Sequence, residues 1–172
     1  MALEKGTTYA IKILKHCNKE WIKIFERERI LLNEYALQLL NSTHCNVANE
    51  REVESLIVLS VKSLGFQKGA TLSKMIERGK KRGLKPCSLT VALSFRVIFD
   101  EEQSETEMTS GKAPTGSITV ISASSSDTPE FPKGFYLRKI HGEKWLRGFS
   151  CSDDYEFNLE DRVAFCVANE IE

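Results

Sequence analysis

The chain has 172 residues, 41% hydrophobic and 28% charged, which suits one globular domain and argues against a disordered chain or a coiled-coil fibre. Its 24 Lys and Arg balance 24 Asp and Glu. That neutrality disfavours a dedicated duplex-DNA binder, which draws much of its affinity from phosphate neutralisation.

No apolar run reaches the roughly eighteen residues that would span a bilayer. Residues 1–15 lack the continuous apolar centre and small-residue cleavage site of a secretory signal. A cytoplasmic protein with no membrane contact is therefore expected. Cys17, Cys45, Cys87, Cys151 and Cys166 are odd in number and unrelated in spacing, which fits reduced thiols packed as small hydrophobes.

In chain order, Trp21, Phe25, Leu32, Tyr35, Ala36 and Leu39 recur at helical spacing and predict an amphipathic helix over residues 19–40, with Asn18 as its cap. A second helix is expected from Asn49, where Asn-Glu-Arg-Glu52 approximates a capping box, to Gly65. Its apolar residues surround much of the axis, so it reads as the most buried helix. A third helix over residues 71–82 takes Thr71 as cap and Gly83 as its left-handed stop. Pro86 then closes a helical half.

From there the period changes to two. Val91, Leu93, Phe95, Val97 and Phe99 alternate and predict a strand over residues 90–99. An acidic, Ser/Thr/Gly-rich mobile loop is expected over 100–115, a strand over 117–123 and a second loop over 124–133. Residues 135–140 and 144–149 read as a hairpin, and 162–168 as the last strand. In that strand Val163, Phe165 and Val167 face one way, while the small Ala164, Cys166 and Ala168 face the other. The expectation is one domain over residues 1–172, helical over 1–86 and β over 87–172. It is an α+β fold, N-terminal helices packed on a C-terminal antiparallel sheet of about five strands.

The pattern Gly65-Phe66, Gly69-Ala70-Thr71, Gly83-Leu84, Cys87, Val91 and Phe95-Arg96-Val97 resembles a family of small uncharacterised bacterial proteins. Phe135 and Trp145-Leu146 extend the resemblance over roughly the C-terminal two-thirds. The chain departs from it at Ser88 and Thr90, where the family tends to carry Pro and then Glu. That family has no established activity, so the resemblance implies a fold and no function.

Catalytic and metal motifs are sparse. His16-Cys17 and His44-Cys45 evoke a zinc site, but adjacent side chains diverge and the short Cys-x-x-Cys spacing is missing, so no metal or cofactor is expected. Neither a nucleophile elbow nor a phosphate-cradling glycine loop is present. A Cys–His couple would need Cys87 or Cys151 beside His141. Asp153, Asp154, Glu156, Glu160 and Asp161 lack calcium-loop spacing and read as a solvated acidic turn.

Two features suit binding. Residues 74–85 hold Lys74, Arg78, Lys80, Lys81, Arg82 and Lys85 against a single Glu77, at a helix C-terminus that itself favours cations. In the hairpin, a two-residue turn at His141-Gly142 would pair Ile140 with Glu143, Arg138 with Trp145 and Tyr136 with Arg147. Leu137 and Leu146 then share the buried face, and cross-strand cation–π pairs occupy the other. Tyr136, Arg138, Trp145 and Arg147 have the composition of an interaction hot spot. The favoured reading is a non-enzymatic protein-binding or regulatory module using that face. One alternative is a single-stranded nucleic-acid binder adding Arg78, Lys80, Lys81 and Arg82. A small enzyme with a Cys–His or acidic site is the other. The protein partner and the oligomeric state are not legible in the sequence.

Overall fold

The computed structural model describes residues 6–42, 51–103, 116–123 and 128–169. Among these, Thr7–Lys12 forms β1, Asn18–Arg27 α1, Ile30–Leu32 β2, Glu34–Leu40 α2 and Val53–Ser60 β3. A 3-10 turn at Lys62–Leu64 leads into β4 (Ala70–Thr71), α3 (Leu72–Lys80), β5 (Leu84–Lys85) and α4 (Leu89–Ile98). The remaining strands are β6 (Ile118–Val120), β7 (Gly134–Ile140), β8 (Glu143–Phe149), β9 (Glu156–Phe157) and β10 (Arg162–Val167).

The large sheet has 8 strands, in the order β1-β3-β10-β6-β7-β8-β2, with β5 pairing to β10 past the end of β6. It is mixed, because β6 runs parallel to β10 and β2 parallel to β8. β4 and β9 form a second, two-stranded sheet. The fold is α+β, but the expected helical half followed by about five antiparallel strands is incorrect. Helices and strands interleave along the chain, and both halves supply strands to the one sheet.

Three local corrections explain the difference. The single helix over 19–40 is broken at Arg29, whose φ of 55° is left-handed. Glu28 and Arg29 close α1 by donating to Ile24 and Glu26 carbonyls, and Ile30–Leu32 then runs beside β8. Its cap is Cys17 rather than Asn18, with the Cys17 amide donating to Glu20 Oε2 at 2.7 Å. The helix expected from Asn49 to Gly65 is instead β3 and the 3-10 turn. Asn49 itself lies outside the described residues. A continuous apolar run does not distinguish a buried helix from a central strand, and β3 is paired on both sides. Finally, the strand expected over 90–99 is α4, which Ser88 caps by accepting from the Val91 amide. α4 is buried from Leu89 to Arg96, its Thr90, Ser94 and Arg96 included, so it lacks the broad solvent-facing stripe that reveals a helical period.

Each face of the sheet holds a core. On one, Leu56 and Val58 of β3, Ala164 and Cys166 of β10, Ile118, Phe135, Leu137 and Leu146 pack with α1, α2 and α4. On the other, Ile57, Leu59, Val163 and Phe165 pack with Met75 of α3, Leu64 and Phe157. The alternation expected along the last strand is thus the alternation between the two cores.

Arg96 sits in the first core with no exposed surface. Its guanidinium donates to the Phe99 carbonyl at 2.5 Å, ending α4, and to the Trp145 and Arg138 carbonyls at 3.2 and 3.3 Å. Burial pushes its pKa down to about 10, partly opposed by Asp100, so it stays charged at neutral pH. α2 is tied to the same hairpin by Asn33. Its Oδ1 accepts from the Ala36 and Gly148 amides, and its Nδ2 donates to the Gly148 carbonyl. A Cβ on Gly148 would lie 2.5 Å from the Tyr35 backbone, so only glycine admits this approach. Arg96→Ala should lower stability by ~3 kcal/mol, through lost volume and lost charged hydrogen bonds, read as a fall in the urea midpoint at unchanged slope.

Candidate functional site

The hairpin β7–β8 is closed by a two-residue turn in which His141 (φ 52°) and Gly142 (φ 73°) are both left-handed, the geometry that matches strand twist. The register is Ile140 to Glu143, Arg138 to Trp145, Leu137 to Leu146 and Tyr136 to Arg147, as the sequence leads one to expect. Leu137 and Leu146 lie in the core. Tyr136, Arg138, Trp145 and Arg147 share the opposite face, and Tyr136, Trp145 and Arg147 belong to neither core cluster.

The contacts on that face differ in detail from expectation. Tyr136 is buried at 8% exposure, and the other three side chains are half-buried. The cation–π contact runs along the strand, with the Arg147 guanidinium 4.9 Å from the Trp145 ring, rather than across it. Trp145 Nε1 donates to Glu143 Oε1 at 2.6 Å, which holds the indole against the surface. Arg147 Nε is buried and lacks a hydrogen-bond partner among the described residues. Leu31 extends the patch, because parallel pairing places it beside Trp145, and it is 40% exposed. Sequence reading missed Leu31 by assigning it to a helix. The run of charged residues Glu26-Arg27-Glu28-Arg29, followed directly by the apolar Ile30-Leu31-Leu32, was the signal available.

At the hairpin tip the acidic segment after α4 is not a loose loop. Asp100 bridges Lys139 and Lys144, at 2.9 and 2.8 Å, neutralising a like-charged cross-strand pair. Glu102 accepts from the Gly142 amide, and Gln103 exchanges two hydrogen bonds with the Lys139 backbone. Residues 104–115 of the expected loop lie outside the described residues.

The basic segment is largely occupied with local structure. Arg78 donates to the Leu64 and Gly65 carbonyls and stacks 4.5 Å from the Phe66 ring. Arg82 donates to the Ser63 carbonyl, so the two arginines cap the 3-10 turn. Lys81 pairs with Glu77 at 2.8 Å and Lys85 with the buried Glu54 at 3.2 Å. Lys74 and Lys80 are exposed, and neither forms an ion pair among the described residues.

The Cys–His couple does not assemble. His141 is at the turn and Cys151 follows the far end of the seven-residue β8, roughly 20 Å away at the rise of a strand. Cys87 is buried and bridged to Ser122. Cys151 borders a cleft of about 430 Å³ with Ser73, Ile76, Lys133 and Asp153. Burial raises its thiol pKa, with Lys133 opposing and Asp153 adding, which leaves it a protonated thiol. His16 approaches Glu20, whereas His44 and Cys45 lie outside the described residues. Among the described residues no group of three His, Cys, Asp or Glu is placed to hold a metal, and no helix is long and apolar enough to cross a membrane.

Set against known proteins, the chain matches no family, no curated protein and no solved structure.

Two outcomes test these assignments. Lys139 and Lys144 hold the Asp100 pKa at about 2, below its ordinary 3.8, so its contribution to stability is present above 3.8 and is lost as pH falls through about 2. The difference in Tm between wild type and Asp100→Asn should close over that window and shrink with added salt. Arg82→Ala should cost about 1 kcal/mol in urea unfolding, while Lys80→Ala stays within ~0.5 kcal/mol.

Proposed function

We propose that the protein is a non-enzymatic binding module that meets a protein partner through the outer face of β7–β8 and the adjoining edge strand β2. The observation that carries the reading is Trp145, flanked by Leu31 and covered by Arg147, on a sheet face outside both cores. Trp and Arg dominate interface hot spots, and an indole already held by Glu143 loses little freedom on docking. Leu31 and Trp145 would supply the apolar contact, with Arg138 and Arg147 at its polar edge. The engagement of Arg78 and Arg82 in capping weakens the nucleic-acid alternative, which needs those cations for phosphate. We take the protein to act in the cytoplasm, on the strength of its unrelated cysteine spacings. Kinship with the small bacterial proteins it resembles is part of the same proposal.

The test is affinity capture from host lysate with wild type and a Trp145→Ala/Arg147→Ala variant, recording absorbance at 260 nm. A stoichiometric protein should be retained by wild type and bind the variant at least ~100-fold more weakly, with shallow salt dependence. The variant's urea midpoint controls for folding. Full retention by the variant, or a captured species that nuclease removes, overturns the reading.

A further inference from the structure

The sheet splits where β10 leaves β6 and pairs with β5 instead. Two thiols meet at that split. Cys166 of β10 lies opposite Lys85, and Cys87 follows two residues later, its amide donating to the Ile121 carbonyl at 2.7 Å. The Cys87 and Cys166 Sγ atoms are 3.1 Å apart, although 79 residues separate them in the chain. Both are free and buried, at 3% and 1% exposure. A disulfide has an S–S distance of ~2.05 Å, so a shift of about 1 Å would join them.

We propose that Cys87 and Cys166 are a redox pair that closes to a disulfide when the protein is exposed to hydrogen peroxide. One thiol gives up its proton, and its sulfur attacks a peroxide oxygen, forming a sulfenic acid and one water. The second sulfur displaces the sulfenic oxygen, the S–S bond forms and a second water leaves with the remaining protons. Both sulfurs are oxidised, the peroxide is reduced, and two thiols plus one peroxide become one disulfide plus two waters.

Burial sets the rate. It raises the Cys87 thiol pKa, and the neighbouring Cys166 adds to the effect, so little thiolate exists in the closed fold. Oxidation is therefore gated by opening of β5, which contributes only two residues to the sheet. The exposed Cys17 has no such gate and reacts first with alkylating reagents. Once formed, the crosslink encloses α4, β6 to β9 and most of β10 in one covalent loop. It also fixes the residue before Ser88, the cap of α4, and α4 carries the Arg96 that holds the hairpin.

The experiment treats the full chain with hydrogen peroxide, blocks residual thiols under denaturing conditions, and maps linked peptides by mass spectrometry before and after reduction. The expected result is a Cys87–Cys166 peptide and a rise in Tm of roughly 10 °C that reductant reverses. Cys151→Ser should keep both effects and Cys166→Ser should lose both. If the latter does not fold, the wild-type peptide map decides alone. Recovery of Cys87 and Cys166 as blocked thiols in excess oxidant, or linkage of either to Cys17 or Cys151 instead, overturns the proposal.

Discussion

A single buried guanidinium fixes how α4 meets the hairpin. Arg96 has no exposed surface, yet it satisfies the end of its own helix and two carbonyls from adjacent strands. A charge taken wholly out of water costs several kcal/mol unless oxygen ligands replace the lost solvent. Reaching the Arg138 carbonyl of β7 and the Trp145 carbonyl of β8 together constrains how α4 lies against the hairpin. The requirement therefore specifies an orientation as well as a contact. The adjacent Asp100 extends the clamp outward by neutralising Lys139 and Lys144, which would otherwise repel each other across the strands.

The rest of the sheet is organised around the unequal cover of its two faces. α1, α2 and α4 fill one face, whereas the described core on the other centres on β3 and β10, under α3 and the β4–β9 pair. Only Phe149, at the end of the hairpin away from the turn, packs on that second core; Tyr136, Trp145 and Arg147 of the same outer face lie beyond it, and their side chains suit a boundary. Tyr136 is buried, while Arg138 and Arg147 are half-buried, with their Nε atoms inside the surface. Trp145 is pinned by Glu143 and overlaid by Arg147. Aromatic area held in place in this way loses little entropy when another surface covers it.

The basic segment teaches a separate lesson about charge. A run of Lys and Arg at a helix end reads as a ligand patch when only the sequence is in view. Here the 3-10 turn at Lys62–Leu64 presents unsatisfied carbonyls, and Arg78 and Arg82 reach back to them. Backbone acceptors left by a short helical turn need donors, and nearby arginines are the least expensive ones. What reads as an electrostatic signal is in large part a hydrogen-bonding one.

What the sequence determined by itself was local and short-ranged. The hairpin register followed from His141-Gly142, the two faces of the last strand from its alternation, and α3 from Thr71 and Gly83, because turn chemistry and pleat period act within a few residues. The register that puts Tyr136, Arg138, Trp145 and Arg147 on one face was legible for the same reason, whereas the position of Leu31 in β2 was not, because it depends on pairing with a strand over a hundred residues away. Only tertiary structure decided that residues 53–60 extend and residues 89–98 coil. Both are mainly apolar, and their polar residues, Glu54, Ser55 and Ser60 in one and Thr90, Ser94 and Arg96 in the other, form no exposed stripe to set a period. Their states were chosen by their neighbours: β1 and β10 supply hydrogen bonds along both edges of β3, whereas α4 lies on a sheet face, where a helix satisfies its own backbone and its Ser94 and Arg96 side chains reach other segments.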